Sequence, residues 1–319
     1  MTWKYLQTSS LALAATVVMA TAASAAPFFA QTTASVEIDG GSQPWTGFVS
    51  DGTLPYGPSA PSSSSVTNPG GTHNGASGSS SASADLSTGQ LKAYATVTQD
   101  DYTTFGNAAN STATARFGDS FTTSNQDGSP FIWGDGDTGS FTLRLSGTVT
   151  SSFTNPLDLN YGIPAANHLV WSVTLDIYQA GTFESGFMTG GPVGSCNWYG
   201  YLDGGTSNDC SVAGLTSSLD GDLLNGITLT ADMDIGSDFD WWLSMSAYSY
   251  MLAPGSLTTD LSHTLDVGYT GPEGSVTSSA SGVFPFATNE NPTAIPAPAM
   301  TGLMGLSLLV LLGQRRRRS

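Results

Sequence analysis

Leu169-Val170-Trp171-Ser172-Val173-Thr174-Leu175-Asp176-Ile177 decides the fold class. Leu169, Trp171, Val173, Leu175 and Ile177 alternate with Ser172, Thr174 and Asp176. Side chains of a strand point to opposite faces in turn, so this pattern makes one apolar face and one wet face. A sheet with one solvated face is antiparallel. The same alternation recurs elsewhere. Phe141, Leu143, Leu145 and Val149 alternate with Thr142, Arg144, Ser146 and Thr148. Leu91, Ala93, Ala95 and Val97 form another set, as do Trp241, Leu243, Met245 and Ala247. In Leu261, Leu265, Val267 and Tyr269 the apolar parity also includes His263, which reads as a hydrogen-bonded core histidine. Gly, Asp and Asn mark the turns, and no interior stretch has helical periodicity. Many strands and many turns predict an all-β, antiparallel β-sandwich or jelly roll over residues 26–284. Within it, residues 51–81 are rich in Ser, Gly and Pro and read as a flexible loop.

The two ends are of another kind. Residues 1–25 hold one basic residue, Lys4, then the apolar stretch from Leu11 to Met19, then Ala23-Ser24-Ala25. This is the layout of a helical signal peptide with an A-x-A cleavage site. Residues 285–294 read as a linker. Residues 295–319 begin Ile295-Pro296-Ala297-Pro298, continue as an apolar run from Ala299 to Leu312, and end with Arg315, Arg316, Arg317, Arg318 and Ser319. The run of 14 residues makes about 21 Å of helix at ~1.5 Å per residue. A permanent span needs ~17–25 residues. The arginines stay cytoplasmic. A short helical tail with a basic stop fits a transient membrane anchor that is later removed.

This tail resembles the PEP-CTERM sorting signal of Gram-negative bacteria, with Ala297 where that family has Glu. The pattern Ile295, Pro296, Pro298 with Arg315, Arg316, Arg317 and Arg318 carries the resemblance. Residues 81–95, 112–121, 260–267 and 278–282, rich in small residues and alternation, also look like the ectodomains of such proteins. The resemblance implies an exosortase-like processing enzyme as partner. It also implies passage through inner membrane and periplasm, residence at the cell surface or outside it, and association with exopolysaccharide or biofilm. It implies no activity.

Composition narrows the partners. Of the charged residues in 26–294, three are basic (Lys92, Arg116, Arg144) against all 25 acidic ones, a formal charge of −22. Such a surface repels nucleic acid and anionic lipid. Cys196 and Cys210 are the only cysteines. An even count in an exported chain reads as a disulfide, closing a loop of 15 residues worth roughly 3 kcal/mol in the chain-entropy reading.

Candidate chemistry is sparse. Asp135 and Asp137 share a glycine-rich turn, and Asp232 and Asp234 lie close to Asp238 and Asp240. Oxygen-rich loops of this kind suit calcium, although the EF-hand pattern is absent. Trp198, Tyr199 and Tyr201 lie inside the cysteine loop, where aromatic faces can stack on sugar rings. Catalysis has little support. The four glutamates are Glu37, Glu184, Glu273 and Glu290, with no paired-carboxylate spacing and no Gly-x-Ser-x-Gly. The expectation is a non-catalytic exported surface or matrix protein without an obligate cofactor. A calcium-dependent carbohydrate-binding module is the alternative, and a secreted hydrolase is less favoured. Intact mass of the extracellular form is expected to lack residues 1–25 and all four terminal arginines. An exported species that retains those arginines would rule out trimming of the tail.

Overall fold

The alternation becomes two antiparallel sheets in a computed structural model. It describes residues 28–38, 49–53, 62–68, 76–99, 109–134, 136–153, 168–184, 187–188, 190–211, 215–234, 238–251 and 254–286. Among these residues there are strands and turns and no helix. In chain order the strands are β1 (Phe29–Ile38), β2 (Val49–Thr53), β3 (Ser62–Asn68), β4 (Ser77–Asp85), β5 (Gln90–Gln99), β6 (Ala109–Asn125), β7 (Gly139–Leu145), β8 (Thr148–Phe153) and β9 (Leu169–Gln179). They continue as β10 (Phe183–Glu184), β11 (Phe187–Met188), β12 (Gly194–Tyr201), β13 (Thr206–Cys210), β14 (Leu215–Asp222), β15 (Gly226–Met233), β16 (Asp238–Met251), β17 (Gly255–Thr270) and β18 (Ser275–Ser279). The first sheet has the order β13-β12-β9-β16-β6-β1-β2, with β18 also on β6. The second has the order β14-β15-β7-β17-β5-β4-β3, with β8 also on β17. Strands β10 and β11 pair separately.

The sheets face each other, with β4 and β5 of the second against β1, β6 and β16 of the first. Most residues of the predicted apolar sets line the space between them, with Leu169 and Val149 half-buried and His263 outside. Trp171, Val173, Leu175, Ile177, Phe141, Leu143, Leu145, Leu91, Ala93, Trp241, Leu243 and Met245 are all buried there. One end of the core is aromatic. Phe121 lies 5.0–6.0 Å from the rings of Phe141, Phe239, Trp241, Tyr269, Phe284 and Phe286. The other end is lined by small residues, Ala34, Ala76 and Ala109, with Val36, Val97, Met251 and Leu257. There the sheets come close enough for inward hydroxyls to bond across. Ser111 donates to the Ser79 carbonyl at 2.8 Å, Ser249 to Ala95 at 2.9 Å, and Thr259 to Tyr248 at 2.8 Å. At Gly78 a Cβ would stand 2.8 Å from Val36 Cγ1, so glycine is what this approach admits.

Three local readings change. Residues 51–81 are not one loop, because β3 and β4 pair antiparallel from Ser62↔Ala84 to Asn68↔Gly78. A serine run lacks the apolar contrast that signals a strand, yet its backbone completes a ladder. The set from Phe141 to Val149 is two strands. Strands β7 and β8 lie end to end along β17, on Leu265 to Thr270 and Gly255 to Asp260. The break falls beside an irregularity in β17 between Leu261 and Leu265. Both leucines stay buried, while Ser262 and His263 are pushed out. His263 is therefore exposed and not a core histidine: two extra residues bulge out of the ladder here and carry it with them, while Leu261 and Leu265 keep the inward parity.

Strand β18 extends the line of β1. Strand β1 pairs β6 as far as Phe29↔Gly118, and β18 pairs it from Ser279↔Phe121 onward. The chain then crosses the aromatic end, with Phe284 buried and Phe286 against Phe121. Packing thus runs through Phe286, two residues past the expected boundary at 284. Replacing Phe121 by Ala is expected to cost roughly 3–5 kcal/mol, read as a lower denaturant midpoint. A loss under about 1 kcal/mol would mean that the ring cluster is not the centre of the core.

Candidate functional site

Inward parity on the first sheet leaves an outward row on each strand. On β16 the outward residues include Trp242, Ser244, Ser246, Tyr248 and Tyr250. On β6 they include Thr112, Thr114 and Arg116; on β9, Ser172, Thr174 and Asp176; on β12, Asn197, Tyr199 and Tyr201. The register aligns them. Arg116 stands opposite Ser244, which stands opposite Thr174, which stands opposite Asn197. One row on, Thr114, Ser246, Ser172 and Tyr199 align in the same way. Hydrogen bonds tie the rows together. Thr114 and Ser246 hydroxyls are 2.9 Å apart, Ser172 and Tyr248 3.2 Å, and Thr174 donates to Asn197 Oδ1 at 2.8 Å.

At one end of this face the Arg116 guanidinium carbon lies 5.3 Å from the Trp242 ring centroid. Phe29 meets Trp242 edge-on at 5.2 Å. Phe29 and Trp242 flank Gly118, and so cover a position without a side chain. Burial holds the Arg116 pKa below its ordinary value. At the other end Tyr199, Tyr201 and Tyr248 cluster. Burial first, then the charges of Asp209 and the two neighbouring tyrosines, pushes the Tyr199 phenol up. Burial and the nearby Asp176 push Tyr178 up to about 12.

The sequence-derived sites separate. Cys196 and Cys210 are directly opposed in the β12–β13 pair, with Cα atoms 4.2 Å apart, and form the disulfide. It ties edge strand β13 to the sheet. Tyr199 and Tyr201 lie on the outward face, but Trp198 does not. Trp198 is fully buried, and its indole N–H donates to the Ser218 carbonyl of β14 at 3.2 Å. It bridges the two sheets at their edge, with Asn208 of β13 donating to the Ser217 hydroxyl at 2.7 Å beside it. Trp198 is therefore excluded from glycan contact by the strand parity that turns Tyr199 outward.

The carboxylates do not converge as one group. Asp135 lies outside the described residues. Asp137 accepts the Gly134 N–H of its own turn at 2.6 Å. Asp232 and Asp234 are exposed at the end of β15. Asp240 is buried on β16 and accepts the Thr182 N–H at 2.8 Å. Asp203 caps the β12–β13 turn through the Gly205 N–H, at the far end of the sandwich from Asp232. Among the described residues no three His, Cys, Asp or Glu side chains are grouped to hold a metal ion. Glu37 and Glu184 fall on β1 and β10, but their side chains lie outside the described residues, as do Ile295, Pro296, Pro298 and Arg315 to Arg318.

No protein-family model matches this chain, and no curated protein or solved structure matches it.

One buried acid was missed by the sequence reading. Asp119 faces inward between Phe117 and Phe121, fully buried, where β1 gives way to β18. Its Oδ2 accepts the Ser281 hydroxyl at 2.5 Å, and its Oδ1 accepts the Ser120 and Ser281 N–H groups at 2.8 and 3.1 Å. Burial pushes its pKa up to about 6, against the lowering by those donors. The sign follows. A group whose folded pKa exceeds its unfolded value adds stability that is full below about 4 and lost as pH rises through about 6. Asp119→Asn keeps an acceptor for the N–H groups and removes the titration. The stability difference, variant minus wild type, is expected to rise by on the order of 2–3 kcal/mol between about pH 4 and pH 7. A difference that stays flat across that window would show that Asp119 does not titrate there.

Proposed function

We propose that this chain is an exported, non-catalytic β-sandwich that works at the cell surface or in the extracellular polysaccharide matrix. On this reading an exosortase-like system sorts it, and its C-terminal tail anchors it only in passage. The observation that carries the proposal is the end-to-end placement of β1 and β18 on β6. The leader-like segment precedes Phe29 and the sorting-like segment follows Phe286, and these two residues both lie at that junction. A domain addressed at both ends can then be held by one end while both sheet faces stay accessible. The faces suit such a setting. They are built largely of Ser, Thr, Asn and Tyr, which satisfy one another and bond hydroxyl-rich polymers without needing charge. The −22 charge keeps the domain soluble and away from other polyanions.

Fractionation tests the reading. The chain is expected in the surface and extracellular-polymer fractions of its producing cell. Deleting 295–319, or changing Arg315, Arg316, Arg317 and Arg318 to Ser, is expected to shift it out of those fractions. An intact full-length chain in the cytoplasm, or a distribution unchanged by the deletion, would overturn the proposal.

A further inference from the structure

The outward face of the β12–β9–β16–β6 part of the first sheet has a built profile. Two aromatic groups stand at its ends, and short hydroxyl side chains form the floor between them. Trp242 and Tyr248 lie on the same side of β16, six residues and so about 20 Å apart. Between them β16 carries only Ser244 and Ser246 outward, and the neighbouring strands carry Thr114 and Ser172 there. Short side chains flanked by large ones make a trough. Its floor is polar and internally bonded, so an apolar helix or strand has nothing to bury against it.

Arg116 gives the trough its polarity. It is the one basic residue among the described residues of this face, and Lys92 and Arg144 lie on the other sheet. The guanidinium carbon lies 5.3 Å from the Trp242 ring centroid, and Nε is buried, so the terminal Nη groups are the donors left for a ligand. A guanidinium held beside an aromatic ring is positioned to donate through those groups.

We propose that this trough binds an extended neutral polysaccharide. The strand would lie between the Arg116–Trp242 pair and the Tyr248–Tyr199 end, with Arg116 donating to its hydroxyl or ring oxygens. The neutral class follows from charge complementarity. The exported chain carries −22, and Asp176 stands opposite Trp242 in the register, so a polyanion is repelled at long range and at the site. A hydroxyl polymer meets no such penalty. Aromatic faces with a polar edge are the side chains that hold amphipathic ligands of this kind. This inference rests on the polysaccharide reading above and adds to it a location and a ligand class.

Affinity electrophoresis of the exported chain tests it, in gels containing hydroxyethylcellulose, galactomannan, dextran or alginate. At least one neutral polymer is expected to retard the wild type, and alginate is not. Arg116→Gln is expected to weaken retardation roughly tenfold, as loss of one charge-assisted hydrogen bond would. Tyr248→Ala is expected to weaken it too. Tyr94→Ala, on the outward face of the other sheet, is expected to leave it unchanged. Circular dichroism and thermal melting confirm that each variant is folded, and Arg116→Lys serves if the Gln variant is not. If both trough variants bind as the wild type does, the location is wrong and the polysaccharide reading survives. Retardation by alginate alone overturns the neutral class. No retardation by any polymer overturns the trough as a polysaccharide site, while the surface reading stands or falls on the fractionation.

Discussion

Phe121 is where the molecule is joined. Its ring touches Phe141 and Tyr269 of one sheet and Phe239 and Trp241 of the other, and it receives Phe284 and Phe286 from the segment after β18. Aromatic pairs at such separations contribute about 0.5–1.5 kcal/mol each beyond area burial. Two sheets of serine- and alanine-rich strands need such an anchor. At the opposite end the inward side chains are too small to supply much apolar area, and hydroxyl-to-carbonyl bonds across the sheets stand in for it. The sandwich is thus held by ring packing at one end and by hydrogen bonds at the other.

That asymmetry places the ends of the chain. The aromatic end has to be closed over, and residues 280–286 close it. Their position depends on Asp119, which collects the Ser281 hydroxyl and N–H. A carboxyl group buried among rings is costly when charged, so ionising Asp119 weakens the fold. The two edges of the sandwich are managed in another way. Strand β13 is fastened by the disulfide and by Asn208, and Trp198 reaches across to β14. On the other edge β2 and β3 lie against each other. Edges guarded in this manner resist pairing with other chains.

Much of the fold was legible from alternation alone. The strands from Leu91, Leu169 and Trp241 bury the faces expected of them, because apolar residues recur there at every second position. Legibility failed where contrast was missing or interrupted. The serine run of β3 has no apolar face to read. His263 has the parity of Leu261 and Leu265, but it lies in the bulge between them and is carried out of the core. The candidate site was less legible still. Arg116 and Trp242 left a signal only in retrospect: in Trp241-Trp242 on one strand, one indole has to face outward.

The sequence by itself determined the all-β class, the antiparallel sheets, the cysteine pair and the scarcity of positive charge. Each of these is a local or compositional property. Period two needs only near neighbours, and a pair needs only a count. The tertiary structure decided which face of an ambiguous strand is buried, and which distant residues share a row. In β12, Cys196, Trp198 and Gly200 alternate with Asn197, Tyr199 and Tyr201, and both sets carry aromatics. Trp198 goes inward because β14 offers its indole a carbonyl and because Gly200 leaves room for Trp171. Arg116 meets Trp242 across 126 positions of sequence only through the pairing of β6 with β16. Side-chain parity is a short-range constraint, whereas strand order is set by the packing of the whole core.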